Sequence, residues 1–129
     1  MANTNSLRII GGAWRSRRIQ FIDSPKIRPT PDRVRETLFN WLAPSINGTR
    51  CLDLFAGSGA LGFEAMSRGA DQVVLVEADP RTAAMLAKQK ALFNEEGIEV
   101  RNQNALPYLQ ELSQQFDLIF LDPPFDANL

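Results

Sequence analysis

The segment Cys51-Leu52-Asp53-Leu54-Phe55-Ala56-Gly57-Ser58-Gly59-Ala60-Leu61-Gly62 carries an apolar run into Gly57, Gly59 and Gly62, spaced as G-x-G-x-x-G. Glycines at that spacing let a strand turn sharply into a helix and bring backbone N–H groups against a ligand at the helix N-terminus. The segment predicts a strand over 51–55 and a helix over 60–68 closed by Gly69. Farther along, Val73-Val74-Leu75-Val76 and Leu118-Ile119-Phe120 lack polar alternation, as parallel strands covered on both faces do. Between them Asp79-Pro80 supplies a cap and a first-turn proline for a helix through Met85, Leu86, Leu92 and Phe93 that should stop near Gly97. A short strand around Val100, a helix over 105–114 and a last strand over 116–121 complete the series. Right-handed crossovers wind such strands into a doubly wound, mostly parallel α/β sheet, with the first and fourth adjacent and the second and third to one side. A ligand belongs where the winding reverses, at the carboxyl ends of the first and fourth strands.

Upstream of this unit the composition changes. Residues 1–35 carry eight basic side chains against two acidic ones, a net +6; the rest of the chain carries six against thirteen, a net −7, which together give the formal −1. Such asymmetry suggests a basic arm for a polyanion, the alternative being an Arg-rich surface that only keeps the chain solvated. The apolar residues of 7–21 flank Gly11-Gly12, a pair able to take positive φ, and predict a hairpin turning there. A Pro-rich extended stretch then leads to Thr30-Pro31-Asp32, read as N-cap, first-turn proline and first-turn acid. The helix so started should run to about Leu42 and end at Pro44. Val34, Leu38, Trp41 and Leu42 form its apolar stripe, with Arg33 and Arg35 off it. The expected division is a basic, RNA-facing hairpin and helix over 1–45 and an α/β domain over 46–129.

At 129 residues, 44% apolar and 22% charged, the chain has the size of one globular domain. No stretch approaches the roughly 20 apolar residues of a membrane span, and 1–12 lacks the apolar region of a signal peptide, so a cytoplasmic protein is expected. The absence of His and the single Cys51 exclude an internal disulfide, a Ser/His relay and a zinc site of nitrogen and sulfur ligands. No metal is expected, and chemistry falls to carboxylates, backbone groups, aromatics or a bound cofactor.

Glu77 ends the second strand 20 positions after Gly57, where a carboxylate can accept hydrogen bonds from both ribose hydroxyls of an adenosine. Alone this suits a nicotinamide dinucleotide as well as S-adenosyl-L-methionine, and tight strand–helix packing explains the glycines without a ligand. Asp53 favours the second cofactor, because a carboxylate within the loop-forming strand suits a cationic amino group and repels a pyrophosphate. By resemblance to S-adenosyl-L-methionine-dependent methyltransferases, Asn104-Ala105 stands where an acidic residue touches the adenine amino group and an Asn carbonyl could accept the same bond; equally, Asn104 caps the following helix. Asp122-Pro123-Pro124-Phe125 closes the fourth strand. Asp-Pro-Pro followed by an aromatic resembles the signature of class I methyltransferases that act on exocyclic amino groups. Asp122 Oδ and the Pro123 carbonyl can accept the two hydrogens of such an amine and aim its lone pair. The prolines keep the loop stiff and free of competing donors, and Phe125 offers a face on which a base can stack. Asp122, Pro123 and Phe125 are therefore the candidate catalytic residues.

Further segments extend the likeness: Arg8-Ile9-Ile10-Gly11-Gly12 with Trp14 and Arg17, Arg28-Pro29-Thr30, and Asp32-Arg33-Val34-Arg35-Glu36-Thr37-Leu38-Phe39-Asn40-Trp41-Leu42. With them the chain resembles, over nearly its whole length, the RsmD-type small-subunit ribosomal RNA guanine-N2 methyltransferases. The resemblance implies methyl transfer from S-adenosyl-L-methionine to the N2 amine of one guanine in 16S ribosomal RNA, presented by an assembled small subunit, with a monomer at full length. It implies Thr30 at the methionine end of the cofactor, with Asp53, Ala56, Gly57, Gly59, Glu77, Asn104 and Ala105 around the remainder. Arg8, Arg15, Arg17, Arg18, Arg28 and Arg33 would face RNA. Family members continue past Phe125 with further strands and helices, so the resemblance also implies a domain truncated after its fourth strand, leaving 116–121 as an unpaired apolar edge. A DNA adenine-N6 methyltransferase and a catalytically silent RNA-binding fragment are the alternatives; a nicotinamide-dependent oxidoreductase has no use for the Asp-Pro-Pro-Phe motif.

Overall fold

The structure, a computed structural model, describes residues 3–123. In chain order it contains β1 (Thr4–Arg8), β2 (Arg18–Ile22), α1 (Asp32–Ile46), β3 (Arg50–Asp53), α2 (Ala60–Ser67), β4 (Gln72–Glu77), α3 (Pro80–Phe93), β5 (Ile98–Asn102), α4 (Ala105–Glu111) and β6 (Leu118–Phe120). Strands β3 to β6 form a parallel sheet ordered β5-β4-β3-β6, with the reversal between β3 and β6 as expected. The run Val73-Val74-Leu75-Val76 shows why polar alternation is missing. Val73 and Leu75 enter a core with Phe39, Phe63 and Leu86 from α1, α2 and α3, whereas Val74 and Val76 enter a second core with Leu52, Leu54 and Tyr108 of α4. Helix α2 lies so close to β4 that a Cβ on Gly62 would stand 2.2 Å from Leu75 Cδ2. No helix among the described residues is long and apolar enough to cross a membrane.

The caps of α3 match their reading: Asp79 Oδ2 accepts the Thr82 N–H at 2.9 Å and Pro80 opens the helix. The helix ends earlier than Gly97, at Phe93, because Asn94 takes the left-handed conformation (φ 52°) and bonds back to Ala91 O. Helix α4 stops at Glu111, short of 114, and β6 is confined to Leu118–Phe120 within the expected 116–121.

The N-terminal segment departs further from expectation. β1 and β2 pair antiparallel, Leu7 opposite Ile19, but the chain does not turn on Gly11-Gly12. Pairing continues to Ile9 N–H→Arg17 O (2.8 Å), Gly11 is extended, and the reversal uses a 3-10 turn over Gly12–Trp14 followed by Ser16 at φ 71°. Gly12 is needed for a different reason: at φ +81° its Cβ would lie 1.9 Å from Ser67 O, so the loop rests directly on the end of α2. Trp14 then packs edge-on against Phe93 with centroids 4.5 Å apart. Leu7, Ile9, Ile19 and Phe21 belong to the same core as Phe63 and Leu86, so the segments on either side of residue 45 share one interior.

Helix α1 corrects three expectations. Thr30 does not cap it: Pro31 holds the cap position with no side-chain hydrogen bond. Pro44 does not end it, because Ile46 is drawn into the core and Thr49 closes the last turn on Ile46 O (2.6 Å). The stripe is also turned by about one residue. Val34 and Trp41 are 53% and 76% exposed, Leu38 and Leu42 are half-buried, and the buried positions are Arg35, Phe39 and Ile46. Arg35 can lie inside because each side of its guanidinium is met: Nε donates to Thr30 O (3.0 Å), Nη1 to Arg8 O (2.8 Å) and Glu64 Oε1 (3.2 Å), and Nη2 to Asp32 Oδ1. The Glu64 carboxylate, itself fully buried in α2, also accepts the N–H groups of Ile10 (3.0 Å) and Gly11 (2.9 Å) and Arg68 Nε (2.8 Å). One ionic cluster thus joins the hairpin, α1 and α2.

Candidate active site

A cleft of about 1800 Å³ opens at the carboxyl ends of β3, β4 and β6 and beside the start of α4. Thr30, Asp53, Ala56, Gly57, Glu77, Asn104, Ala105, Asp122 and Pro123 all line it, so the residues of both motifs converge on one space. Phe125 lies outside the described residues. Gly59 does not line the cleft; at φ +84° it precedes α2, packed so tightly that a Cβ would meet Leu86 Cδ2 at 2.8 Å. Gly57, at φ +53°, turns its N–H onto Glu77 Oε1 (2.9 Å). Glu77 Oε2 accepts the Asp79 N–H (3.0 Å), so two backbone donors fix the carboxylate at the end of β4 while each oxygen keeps a lone pair for a ligand hydroxyl. Asn104 occupies the cap position of α4 without a side-chain cap bond, which leaves its amide for the cleft.

Asp53 has the most unusual environment. It is 1% exposed, and its Oδ1 is the buried side-chain atom without a hydrogen-bond partner among the described residues. Burial pushes its pKa up to about 7, the N–H groups of Gly62 and Phe55 pull it partly down, and the neighbouring charges of Asp122 and Glu77 raise it further. Asp53, Glu77 and Asp122, side by side in the cleft, suit a ligand that carries positive charge and hydroxyl groups. Asp122 is tied across the cleft mouth by Thr30, whose Oγ1 donates to Asp122 Oδ2 at 3.4 Å. No group of three or more His, Cys, Asp or Glu side chains among the described residues could hold a metal ion.

Lys26, Arg28 and Arg81 line this cleft, but most of the arginines expected to face RNA lie elsewhere. Arg8 pairs with Asp32 at 3.6 Å. The Arg17 guanidinium stacks 3.9 Å over the Phe93 ring, and Arg15, Arg18 and Arg33 are exposed. Two features escaped the sequence reading. Ile27, in the Pro-rich stretch, lines the cleft opposite the glycine loop, 3.9 Å from where a Gly57 Cβ would be, and its extended, Pro-stiffened context was the available signal. The buried Arg35–Glu64 pair was signalled only by a lone acid in the otherwise apolar run of α2.

Sheet order, glycine loop and strand-end cleft define the Rossmann-like fold of class I methyltransferases. The chain belongs to the family described as Conserved hypothetical protein 95, the RsmD-type family, whose model matches residues 7–129. It is 48% identical over 128 residues to Ribosomal RNA small subunit methyltransferase D of Escherichia coli strain K12, covering 99% of this chain and 65% of that protein. It is similar to the solved structure of yhhF from Escherichia coli at 47% identity and a TM-score of 0.87, covering 95% of this chain and 66% of that one. The 16S rRNA N2 methyltransferase RsmC of T. thermophilus, solved in complex with AdoMet and guanosine, is similar at 26% identity and a TM-score of 0.69, covering 97% of this chain and 33% of that one. The chain thus spans 65% of the length of its Escherichia coli relative.

Proposed function

We propose that the protein transfers methyl from S-adenosyl-L-methionine to the exocyclic N2 amine of a guanine in 16S ribosomal RNA. The observation that carries this reading is the convergence of Asp53, Glu77 and Asp122-Pro123 on one cleft. The orphaned Asp53 Oδ1 is a buried acceptor with no donor among the described residues, and an ammonium group is its natural complement. Glu77 would take the ribose hydroxyls, Gly57 and Ala56 the backbone-facing side of the cofactor, and Asn104 and Ala105 the adenine edge. When bound, S-adenosyl-L-methionine supplies an activated methyl group.

The remaining work belongs to the protein. Asp122 and the Pro123 carbonyl accept the amine hydrogens and turn its lone pair toward the methyl group. Positioning of this kind is the main source of rate for such a transfer. Asp122 need not be a strong base, since the amine becomes acidic only as it is methylated. Phe125 is assigned to stacking on the base. The exposed Arg15, Arg17, Arg18 and Arg33, with Arg8 and Arg28, would contact phosphates and set orientation without reading sequence. The name of the Escherichia coli relative favours small-subunit ribosomal RNA as substrate; we infer that an assembled subunit presents it and that the full-length protein is a cytoplasmic monomer.

Two measurements test the reading. Calorimetric titration should give a heat of binding with S-adenosyl-L-methionine and none with NAD; the reverse would move the protein to a different cofactor class. Labelled methyl from the cofactor should enter 16S RNA of small subunits lacking the N2 modification, and failure of both subunits and naked RNA to accept label would refute the assigned activity.

A further inference from the structure

We propose that Arg35 is a positioning residue that fixes the Asp122 carboxylate through Thr30; this rests on the methyltransferase reading above for its functional meaning. The resemblance assigned Thr30 to the cofactor; its hydrogen bonds run to Arg35 and Asp122. Its carbonyl accepts from Arg35 Nε at 3.0 Å and its hydroxyl donates to Asp122 Oδ2 at 3.4 Å. Thr30 stands between Pro29 and Pro31, so its own backbone is confined to extended conformations and the following φ is fixed near −57°. Once the carbonyl is held, only the χ1 rotamer of Thr30, which β-branching restricts, remains to aim the hydroxyl.

The holder is itself immobile. The Arg35 side chain is 1% exposed, and its fork is divided among Thr30 O, Arg8 O, Glu64 Oε1 and Asp32 Oδ1. Asp122 has the opposite character: it is exposed, it follows the end of β6, and Thr30 is its hydrogen-bond partner among the described residues. A carboxylate in that setting samples several rotamers, whereas an acceptor for an amine must present one oxygen at one place. Tying Oδ2 to Thr30 leaves Oδ1 free to meet the substrate N–H. Glu64 holds the Arg35 fork at one end of this chain of contacts, and the substrate-facing oxygen lies at the other.

Two readouts separate this inference from the reading beneath it. The carboxyl 13C resonance of Asp122 requires no activity. It is expected to move in Thr30→Val and in Arg35→Lys, which lacks the fork, and to stay in place in Thr30→Ser, which keeps the hydroxyl. An unmoved resonance in Thr30→Val would overturn the proposal. In methyl-transfer assays Thr30→Val should lower kcat about ten- to a hundredfold with KM for RNA and cofactor affinity within about twofold, and Thr30→Ser should restore most of the rate. Lost cofactor affinity at unchanged kcat would overturn the proposal and return Thr30 to the cofactor. A wild-type chain that binds no cofactor and transfers no methyl would refute the methyltransferase reading alone, with the resonance still deciding the position of Asp122.

Discussion

Replacing Asp53 by Asn should make the protein more stable at neutral pH and worse at binding its cofactor. Burial raises the folded-state pKa of Asp53 from 3.8 to about 7, so between these values the folded protein binds a proton that the unfolded chain has released. The sign follows: this carboxyl contributes its full stability below about pH 4 and loses it progressively as pH rises toward 7, by about 1.4 kcal/mol per pH unit within the window. Asparagine, which cannot ionise, removes that slope. Its stability advantage over the wild type should therefore grow by about 2 to 3 kcal/mol between pH 5 and pH 8, whatever constant difference the amide itself introduces. Denaturant titrations of both proteins at the two pH values measure the growth directly. A cationic ligand reverses the preference, because it stabilises the ionised form of Asp53. Wild-type affinity for S-adenosyl-L-methionine should fall by up to about a hundredfold from pH 8 to pH 5, with a proton released on binding near pH 6, and the Asn variant should show neither effect. Calorimetry in buffers of different ionisation enthalpy counts the proton. Parallel stability profiles for the two proteins, or a wild-type affinity flat across this range, would refute the assignment of Asp53 as a buried, cofactor-facing acid.

Four other outcomes are expected. Glu64→Gln should cost about 3 kcal/mol in denaturant unfolding, since it leaves the largely buried Arg68 without a counter-charge and Arg35 with only the half-exposed Asp32; a loss below 1 kcal/mol, about the worth of a surface pair, would show the cluster to be dispensable. Gly12→Ala should lower stability by at least about 2 kcal/mol, because the left-handed backbone and the Ser67 carbonyl both reject a Cβ; an unchanged melting temperature would show that the loop can leave α2 freely. Replacing Arg15, Arg17 and Arg18 together by Ala should reduce the slope of log RNA affinity against log salt by about 0.7 to 0.9 per lost phosphate contact, and an unmoved slope would make them solvation only. Among the described residues β6 pairs only with β3, and its Ile119 and the following Leu121 are exposed, so the 129-residue chain should self-associate in sedimentation, and a concentration-independent monomer would contradict that.

How much of this was legible in the sequence depended on how far each determinant reaches along the chain. The glycine loop, the Asp79-Pro80 cap and the two-sided run Val73-Val74-Leu75-Val76 act within a few residues of themselves, and each element they predicted is present. The convergence of Asp53, Glu77 and Asp122 was legible too, because crossover handedness leaves few ways to order parallel strands. Helix α1 was misjudged for a corresponding reason. Periodicity ranks residues by transfer from water, and on that scale Trp41 belongs inside and Arg35 outside. Burial of Arg35 becomes favourable only because Glu64 in α2 and the carbonyl of Arg8 in β1 arrive to meet it, and no window of sequence around α1 contains either. The same distance hid the use of Gly12, whose neighbour Ser67 is remote in sequence. These long-range contacts tie the basic hairpin to the α/β body, and the Arg35 that they hold also donates to the carbonyl of Thr30 beside Asp122. What periodicity misplaced is thus the ionic framework that reaches the proposed amine-binding carboxylate.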